Sequence, residues 1–272
     1  MPRTRAKANA GLDMSGQSVI EHGRLLEVLG IEGELLADLA HRTPDGTPVP
    51  TCPGWTTGEL TRHVGSVYRA TLAWLAEGAR PRRWQREPGE GQPAEEYLRE
   101  GLAALRAELE RHDPAERAAS WWPADPTYGF WRRRMAHETT VHRIDLQRAA
   151  ATPFADTPDD IPDDVAVDGV DEMLCLWFGQ RLPMLGMTGT RTGSVAVRTA
   201  GHNWIARAGT TETVAWRCSA RETEHADVVV TGRPAEVYLW LWGRAGPWSL
   251  DSVDGDHDAA GQLWALLRLA TR

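Results

Sequence analysis

The chain has 272 residues, of which 42% are hydrophobic and 25% charged, and its formal net charge is −8. That length supports one large or two modest domains, and the composition is that of a water-soluble globular protein. An acidic balance without a basic cluster leaves no electrostatic footprint for nucleic acid or acidic lipid, which excludes both as expected partners.

Residues 1–17 are basic and polar with no apolar run, which predicts a disordered lead and no secretory signal. Residues 18–42 carry apolar side chains at helical spacing, interrupted by Gly30. The Pro- and Gly-rich stretch TPDGTPVPTCPGW predicts a loop. Thr56 then stands three residues before Glu59, the capping-box spacing that opens a helix. That second helix carries Leu60, Val64, Val67, Leu72 and Leu75, with His63 among them. A loop rich in Pro, Gly and Arg covers about 79–93, and a third helix spans about 94–112. After a second loop, a fourth helix runs from about 130 to 150, with the sequence FWRRRMAHETTVHRIDLQRAA. Four helices of this length joined by loops predict an antiparallel bundle. Its domain is placed at 18–160, closing in the acidic, Pro-rich linker ATPFADTPDDIPDD.

Residues 161–272 read differently. A fifth helix is predicted at about 163–180. The runs GSVAVRTA, HNWIARA, TETVAWRC and ADVVVTG are short, β-rich and separated by Gly and Thr. A helical stretch RPAEVYLWLWGRA, the run WSLDSVDGD and a last helix AAGQLWALLRLA follow. The expected fold is therefore α plus (α+β): a four-helix bundle, then a small domain with a mostly antiparallel sheet.

Three cysteines, Cys52, Cys175 and Cys218, are far apart and odd in number. That argues against a disulfide framework or a Cys-rich zinc site and fits a reducing cytoplasm. No apolar run reaches the ~18–20 residues of a membrane span. Thirteen tryptophans against three phenylalanines point to large apolar burial, with some Trp available to line a pocket.

The chemistry-bearing residues concentrate in the fourth helix. Glu138 and His142 lie at i and i+4, so they share one helical face with Arg134 and Asp145. His63 occupies the middle of another helix, and bundle ligands come from facing helices. Two imidazoles and one carboxylate are a common donor set for catalytic Zn²⁺, and they also suit Fe²⁺, Mn²⁺ or Ni²⁺. Against this stands the ordinary reading of a Glu–His pair as a solvent-exposed face. His137 falls off the Glu138/His142 stripe and is expected in the core or behind the site. No G-x-S-x-G, P-loop or G-x-G-x-x-G motif is present. Cys52 sits near a helix N-terminus that favours a thiolate, yet a small buried hydrophobe is its more common role. Arg134, Arg143 and Arg244 offer carboxylate receptors, against the more frequent role of surface ion-pair partners.

Four stretches together resemble the mycothiol-dependent maleylpyruvate isomerase family. VPTCPGWTTGELTRHVGSVYRAT is similar to the loop and metal-bearing helix of its bundle. RRRMAHETTVHRIDLQRA is similar to its second metal helix. IPDDVAVDGVDEML and ADVVVTGRPAEVYLWLWGR resemble its linker helix and C-terminal domain. The resemblance covers about residues 18–270. It implies a DinB-like four-helix bundle followed by a sterol-carrier-like α+β domain. It implies a divalent metal, zinc above all, held by His63, Glu138 and His142. It implies an arginine of the C-terminal domain near the substrate, for which Arg244 is the nearest match. The expected activity is that of a cytoplasmic enzyme, monomeric or homodimeric, that adds the thiolate of mycothiol to a small electrophilic metabolite. Isomerase and S-transferase are both compatible with that chemistry. Two other readings stay open at this point: a thiol-independent metal hydrolase or lyase on the same scaffold, and a non-enzymatic ligand-binding protein.

Overall fold

In a computed structural model of the chain, residues 18–84, 86–151 and 160–271 are described. The lead at 1–17 and most of the acidic linker, 152–159, lie outside the described residues. The chain divides into two compact units. Gln17–Gly169 together with Trp242–Arg244 form a helical unit, and Val170–Leu241 together with Ala245–Arg272 belong to a sheet unit.

Among the described residues the helical unit contains four long helices: α1 (His22–Arg42), α2 (Thr57–Glu77), α3 (Ala94–Arg111) and α4 (Tyr128–Ala150). α1 packs on α4 and α3, and α2 packs on α3 and α4, the circuit of a four-helix bundle. Its core is aliphatic and closely filled, with Leu25, Leu29, Leu36, Leu60, Val64, Leu98, Leu105 and Ile144 fully buried. α1 runs unbroken through Gly30, the residue that interrupts its apolar spacing. A side chain there would meet the Arg106 guanidinium at 2.9 Å, so the glycine serves the approach of α3 rather than a break. Gly65 does the same for α2, where a Cβ would lie 2.6 Å from the Tyr97 ring.

α2 starts as its sequence predicts. Thr56 Oγ1 accepts from the Glu59 amide, and Glu59 Oε2 accepts from the Thr56 amide at 2.8 Å. The reciprocal bonds satisfy two of the amide groups that a helix start leaves unpaired. α4 is capped by Thr127, whose hydroxyl oxygen accepts from the Phe130 amide at 3.2 Å. α4 is buried along most of its length, charged residues included, which makes it the central helix of the unit.

The charges on α4 are matched from other elements, as burial demands. Arg143 donates to both carboxylate oxygens of Glu32 on α1, and both side chains are almost fully buried. Arg133 and His137 converge on the fully buried Asp168 carboxylate, at 2.9 and 2.8 Å. Asp168 lies on α5 (Asp163–Asp171), and the division between the units falls within that helix.

In the sheet unit, α5 continues as a π-helix over Glu172–Arg181 and a further turn, Leu182–Met184. The predicted single helix is thus wound in two ways. A five-stranded sheet follows, built from β1 (Gly193–Thr199), β2 (His202–Ala208), β3 (Thr213–Arg217), β4 (Val228–Thr231) and β5 (Ser252–Gly255). The spatial order is β3-β2-β1-β4-β5, and every pair is antiparallel except β1–β4. The β1–β2 hairpin turns at Ala200 and Gly201, with φ of 46° and 79°. That is the left-handed pair that a two-residue hairpin loop needs. Two helices complete the unit, α6 (Pro234–Leu241) and α7 (His257–Ala270). α7 and the π-helix pack together, and Val195, Val197, Val228 and Val230 are buried in the sheet. Asp171, fully buried, accepts from Trp204 Nε1 at 2.7 Å and from the Arg217 guanidinium. No helix among the described residues is long and apolar enough to cross a membrane.

Candidate metal centre

The helical unit brings its three sequence-selected donors together. His63 Nε2 lies 3.4 Å from Glu138 Oε1, and His142 Nε2 lies 3.3 Å from the same oxygen. One ligand atom of each residue falls within 4.8 Å of the other two. The two imidazole rings stand edge to face, with centroids 5.2 Å apart. Glu138 and His142 come from α4, and His63 comes from the middle of α2.

Direct bonds keep these two helices in register close to the donors. Tyr68, five residues after His63, is fully buried, and its hydroxyl is 2.7 Å from Thr139 Oγ1, beside Glu138. Thr71 donates to Met135 Sδ one turn further along. Each links α2 to α4 near the site, so the His63–Glu138 distance does not depend on the loops.

Hydrogen bonds behind the donors orient two of the three. Arg134, buried, donates to Glu138 Oε2 at 3.1 Å and leaves Oε1 facing the imidazoles. His142 Nδ1 is 3.1 Å from Asp145 Oδ2. Asp145 also accepts from Thr51 Oγ1 at 2.6 Å, and Cys52 Sγ lies 3.4 Å from its second oxygen. His63 Nδ1 is buried and has no hydrogen-bond partner among the described residues. Its ring is instead packed edge-on by Trp55 and Trp84, with centroids 4.9 and 5.8 Å away.

The loop between α1 and α2 holds Thr51 and Cys52 in place. Val49 donates to Trp55 O at 2.9 Å, Trp55 donates to Cys52 O at 3.0 Å, and Gly54 takes a φ of 87° at the turn. Thr51, Trp55 and Trp84 were not singled out by sequence reasoning, because loop residues carry no periodicity to reveal where they point. The Thr-Cys-Pro-Gly-Trp run is the local signal that marks the stretch as more than a connector.

Arg244 joins the same cluster. Although it follows α6 in the chain, Trp242–Arg244 belong to the helical unit. Arg244 Nε and Nη2 donate to the two Asp145 oxygens at 2.9 and 2.7 Å. The three arginines weighed as surface ion-pair partners are thus all paired, but Arg134 and Arg143 are buried and Arg244 is largely so. His137 points to Asp168, away from the donor group.

The charge states follow from these contacts. Burial alone would raise the Glu138 carboxyl's pKa, but hydrogen bonds with His142 and His63 and the charge of Arg134 hold it well below the usual range. Burial alone would lower the pKa of His142. Its hydrogen bonds to Asp145, Cys52 and Glu138 raise it well above the ordinary imidazole value instead. The cluster therefore favours positive charge between a carboxylate and two ring nitrogens. With Nδ1 of His142 donating to Asp145, its Nε2 is the nitrogen that faces the Glu138 carboxylate. At that separation the nitrogen and the carboxylate oxygen share a cation, either the proton on Nε2 or a metal ion in its place. Two nitrogens, one ionised carboxylate and hydrogen-bonded outer partners are the donor chemistry of a divalent metal centre. Cys52, His142 and Asp145 form a second close group. At that end the Arg244 guanidinium already supplies the positive charge.

The fold is a DinB-like helical bundle followed by an α+β domain. Residues 32–147 match the family model described as the mycothiol maleylpyruvate isomerase N-terminal domain, a stretch that contains His63, Glu138 and His142. That match lies within the helical unit. Two solved structures are similar in fold: a crystal structure of the mycothiol-dependent maleylpyruvate isomerase, and one of a His-to-Ala mutant of it. Each has a TM-score of 0.57 and covers 87% of this chain and 95% of its own, at 13% and 12% sequence identity. At that identity the likeness establishes shared fold. No curated protein sequence matches the chain.

Proposed function

We propose that the chain is a metal-dependent enzyme that uses mycothiol as its thiol and acts on a small electrophilic metabolite as an isomerase or S-transferase. The observation that carries the reading is the convergence of His63, Glu138 and His142 from two helices onto one point, inside the stretch that matches the mycothiol maleylpyruvate isomerase N-terminal domain. We assign it to the cytoplasm as a monomer or homodimer, in keeping with its free cysteines.

The three side chains would hold the ion, with zinc the first choice for this donor set. A bound divalent metal deprotonates a coordinated thiol, which otherwise has a pKa near ~8.5. Mycothiol would supply that sulfur, so the chain needs no nucleophile of its own. Glu138 stays ionised at neutral pH and contributes negative charge to the ion. Asp145 holds His142 with Nε2 free to ligate, and Arg134 keeps the second Glu138 oxygen occupied. Trp55 and Trp84 pack edge-on against the His63 ring and support its orientation. An isomerase regenerates the thiol at the end of each turnover, and a transferase consumes it.

The test is turnover of maleylpyruvate and a panel of small electrophiles by the Zn²⁺-loaded full chain, with and without mycothiol. Turnover that requires the thiol supports the reading. Equal turnover without thiol would move the assignment to a hydrolase or lyase, and no turnover of any substrate would favour a ligand-binding role.

A further inference from the structure

The arrangement behind His142 is more specific than a donor set requires. Asp145 is fully buried and receives every donor around it. Oδ1 accepts from Thr51 Oγ1 and Arg244 Nε, and Oδ2 from Arg244 Nη2, with Cys52 Sγ at 3.4 Å and His142 Nδ1 at 3.1 Å. An ionised carboxylate only accepts, so the His142 nitrogen facing it must carry the proton. Nε2, the nitrogen turned toward Glu138 and His63, is thereby the one that can give up its proton to a metal ion.

Arg244 is what holds Asp145 in this pose. Its planar fork grips both carboxylate oxygens, which fixes the plane of the group as well as its place. The remaining donors are largely committed too. Nη1 donates to Trp242 O at 2.9 Å, and Nη2 lies 3.5 Å from Cys52 Sγ. A guanidinium has five N–H groups. Four of them point at these partners, and the positive charge is neutralised by Asp145. A residue so engaged has little left for a substrate carboxylate.

We infer that Arg244 is a positioning residue, which acts through Asp145 to set the tautomer and ring orientation of His142, rather than a group that touches the substrate. This rests on reading His63, Glu138 and His142 as the cation-binding set. It revises the role expected for Arg244 from family resemblance, and it adds Asp145 as the link through which the effect travels.

The experiment measures Zn²⁺ affinity of the full chain by competition with a chromophoric chelator, together with the visible spectrum of the Co²⁺-loaded protein. In Asp145→Asn, the Arg244 fork would hold the amide oxygen and turn the NH₂ toward His142 Nδ1. The ring proton would then move to Nε2, and Zn²⁺ binding is expected to weaken about 10–100-fold, the usual effect of losing an outer-shell partner. Arg244→Ala should weaken binding in the same direction and alter the Co²⁺ spectrum. Arg244→Lys should recover part of the loss, because it keeps the charge and loses the fork. The double variant should bind no more weakly than Asp145→Asn alone, since the effect of Arg244 runs through Asp145. Circular dichroism checks the fold. If Arg244→Ala does not fold, Arg244→Lys and Asp145→Asn, which keep most of the bulk, carry the comparison. Wild-type protein that binds Zn²⁺ while the Arg244 variants bind it equally well would overturn the positioning role and leave the metal centre standing. Wild-type protein that takes up no Zn²⁺ would overturn the metal centre itself, and this inference with it.

Discussion

Asp168 offers a sharp test of how the helical unit keeps α4 in place. Its carboxylate is fully buried and receives Arg133 Nε at 2.9 Å, His137 Nε2 at 2.8 Å and the Val19 amide. Arg133 is itself only 3% exposed, so removing the carboxylate takes away the anion that neutralises a buried guanidinium. Breaking such a pair from one side costs about 3–5 kcal/mol. Asp168→Ala should lose that much in urea unfolding at neutral pH. Asp168→Asn, which keeps an acceptor oxygen, should lose less. Burial alone would raise the Asp168 pKa, but the Arg133 charge and the hydrogen bonds from His137 and Val19 depress it below the ordinary carboxylate value. A depressed folded-state pKa contributes stability that is fully present above the unfolded value of ~3.9 and is lost as pH falls through the folded one. Wild-type stability should therefore drop steeply below about pH 4, and the Asp168→Ala curve should fall less steeply. Because Asp168 lies outside the donor group, Zn²⁺ affinity of the folded variant should be unchanged. A stability loss under about 1 kcal/mol, or an acid slope identical to wild type, would refute the reasoning.

Four further outcomes are expected. Protein loaded with Zn²⁺ and passed through a desalting column should retain one ion per chain by elemental analysis, and His63→Ala, Glu138→Ala and His142→Ala should each retain almost none with helicity intact. Cys52→Ala should keep both Zn²⁺ binding and turnover; an inactive, folded variant would instead point to a protein thiol in the chemistry. Tyr68→Phe should cost about 1 kcal/mol in chemical denaturation through loss of the bond to Thr139. Because burial pushes the Cys218 thiol up to about 11, its alkylation by a thiolate-selective reagent at pH 8 should be far slower than that of a free cysteine.

Much of this molecule is legible in one dimension, and the reason is local. The Thr56–Glu59 capping box, the helical periodicity of α1 to α4 and the β-rich runs of the second unit depend on neighbours a few residues apart, so spacing alone reveals them. Glu138 and His142 share a face by helix geometry, and they remain neighbours in the structure. That His63 faces that pair across the bundle was a matter of resemblance and of bundle logic, not of any local pattern. Where the sequence reading and the structure part, the cause is a contact from far along the chain. Gly30 interrupts the apolar spacing of α1 for no local reason, and the structure shows that Arg106 on α3 needs the room it leaves. The arginines of α4 looked like surface charges, because composition cannot show that Glu32 and Asp168 wait to neutralise them. The run WSLDSVDGD reads as no element of its own, and within it β5 pairs antiparallel with β4.

The donor set illustrates the division most directly. Residue types and the i,i+4 spacing were sufficient to nominate Glu138 and His142, since a helix fixes the relation of residues one turn apart. What makes them a centre is decided at distances of roughly a hundred residues along the chain: Thr51, Cys52 and Arg244 meet at Asp145. Hydrogen bonds and ion pairs of that kind are short-ranged in space and indifferent to separation in sequence. Local order could therefore be read from the chain, while the tautomer of His142 and the engagement of Arg244 had to await the packed fold.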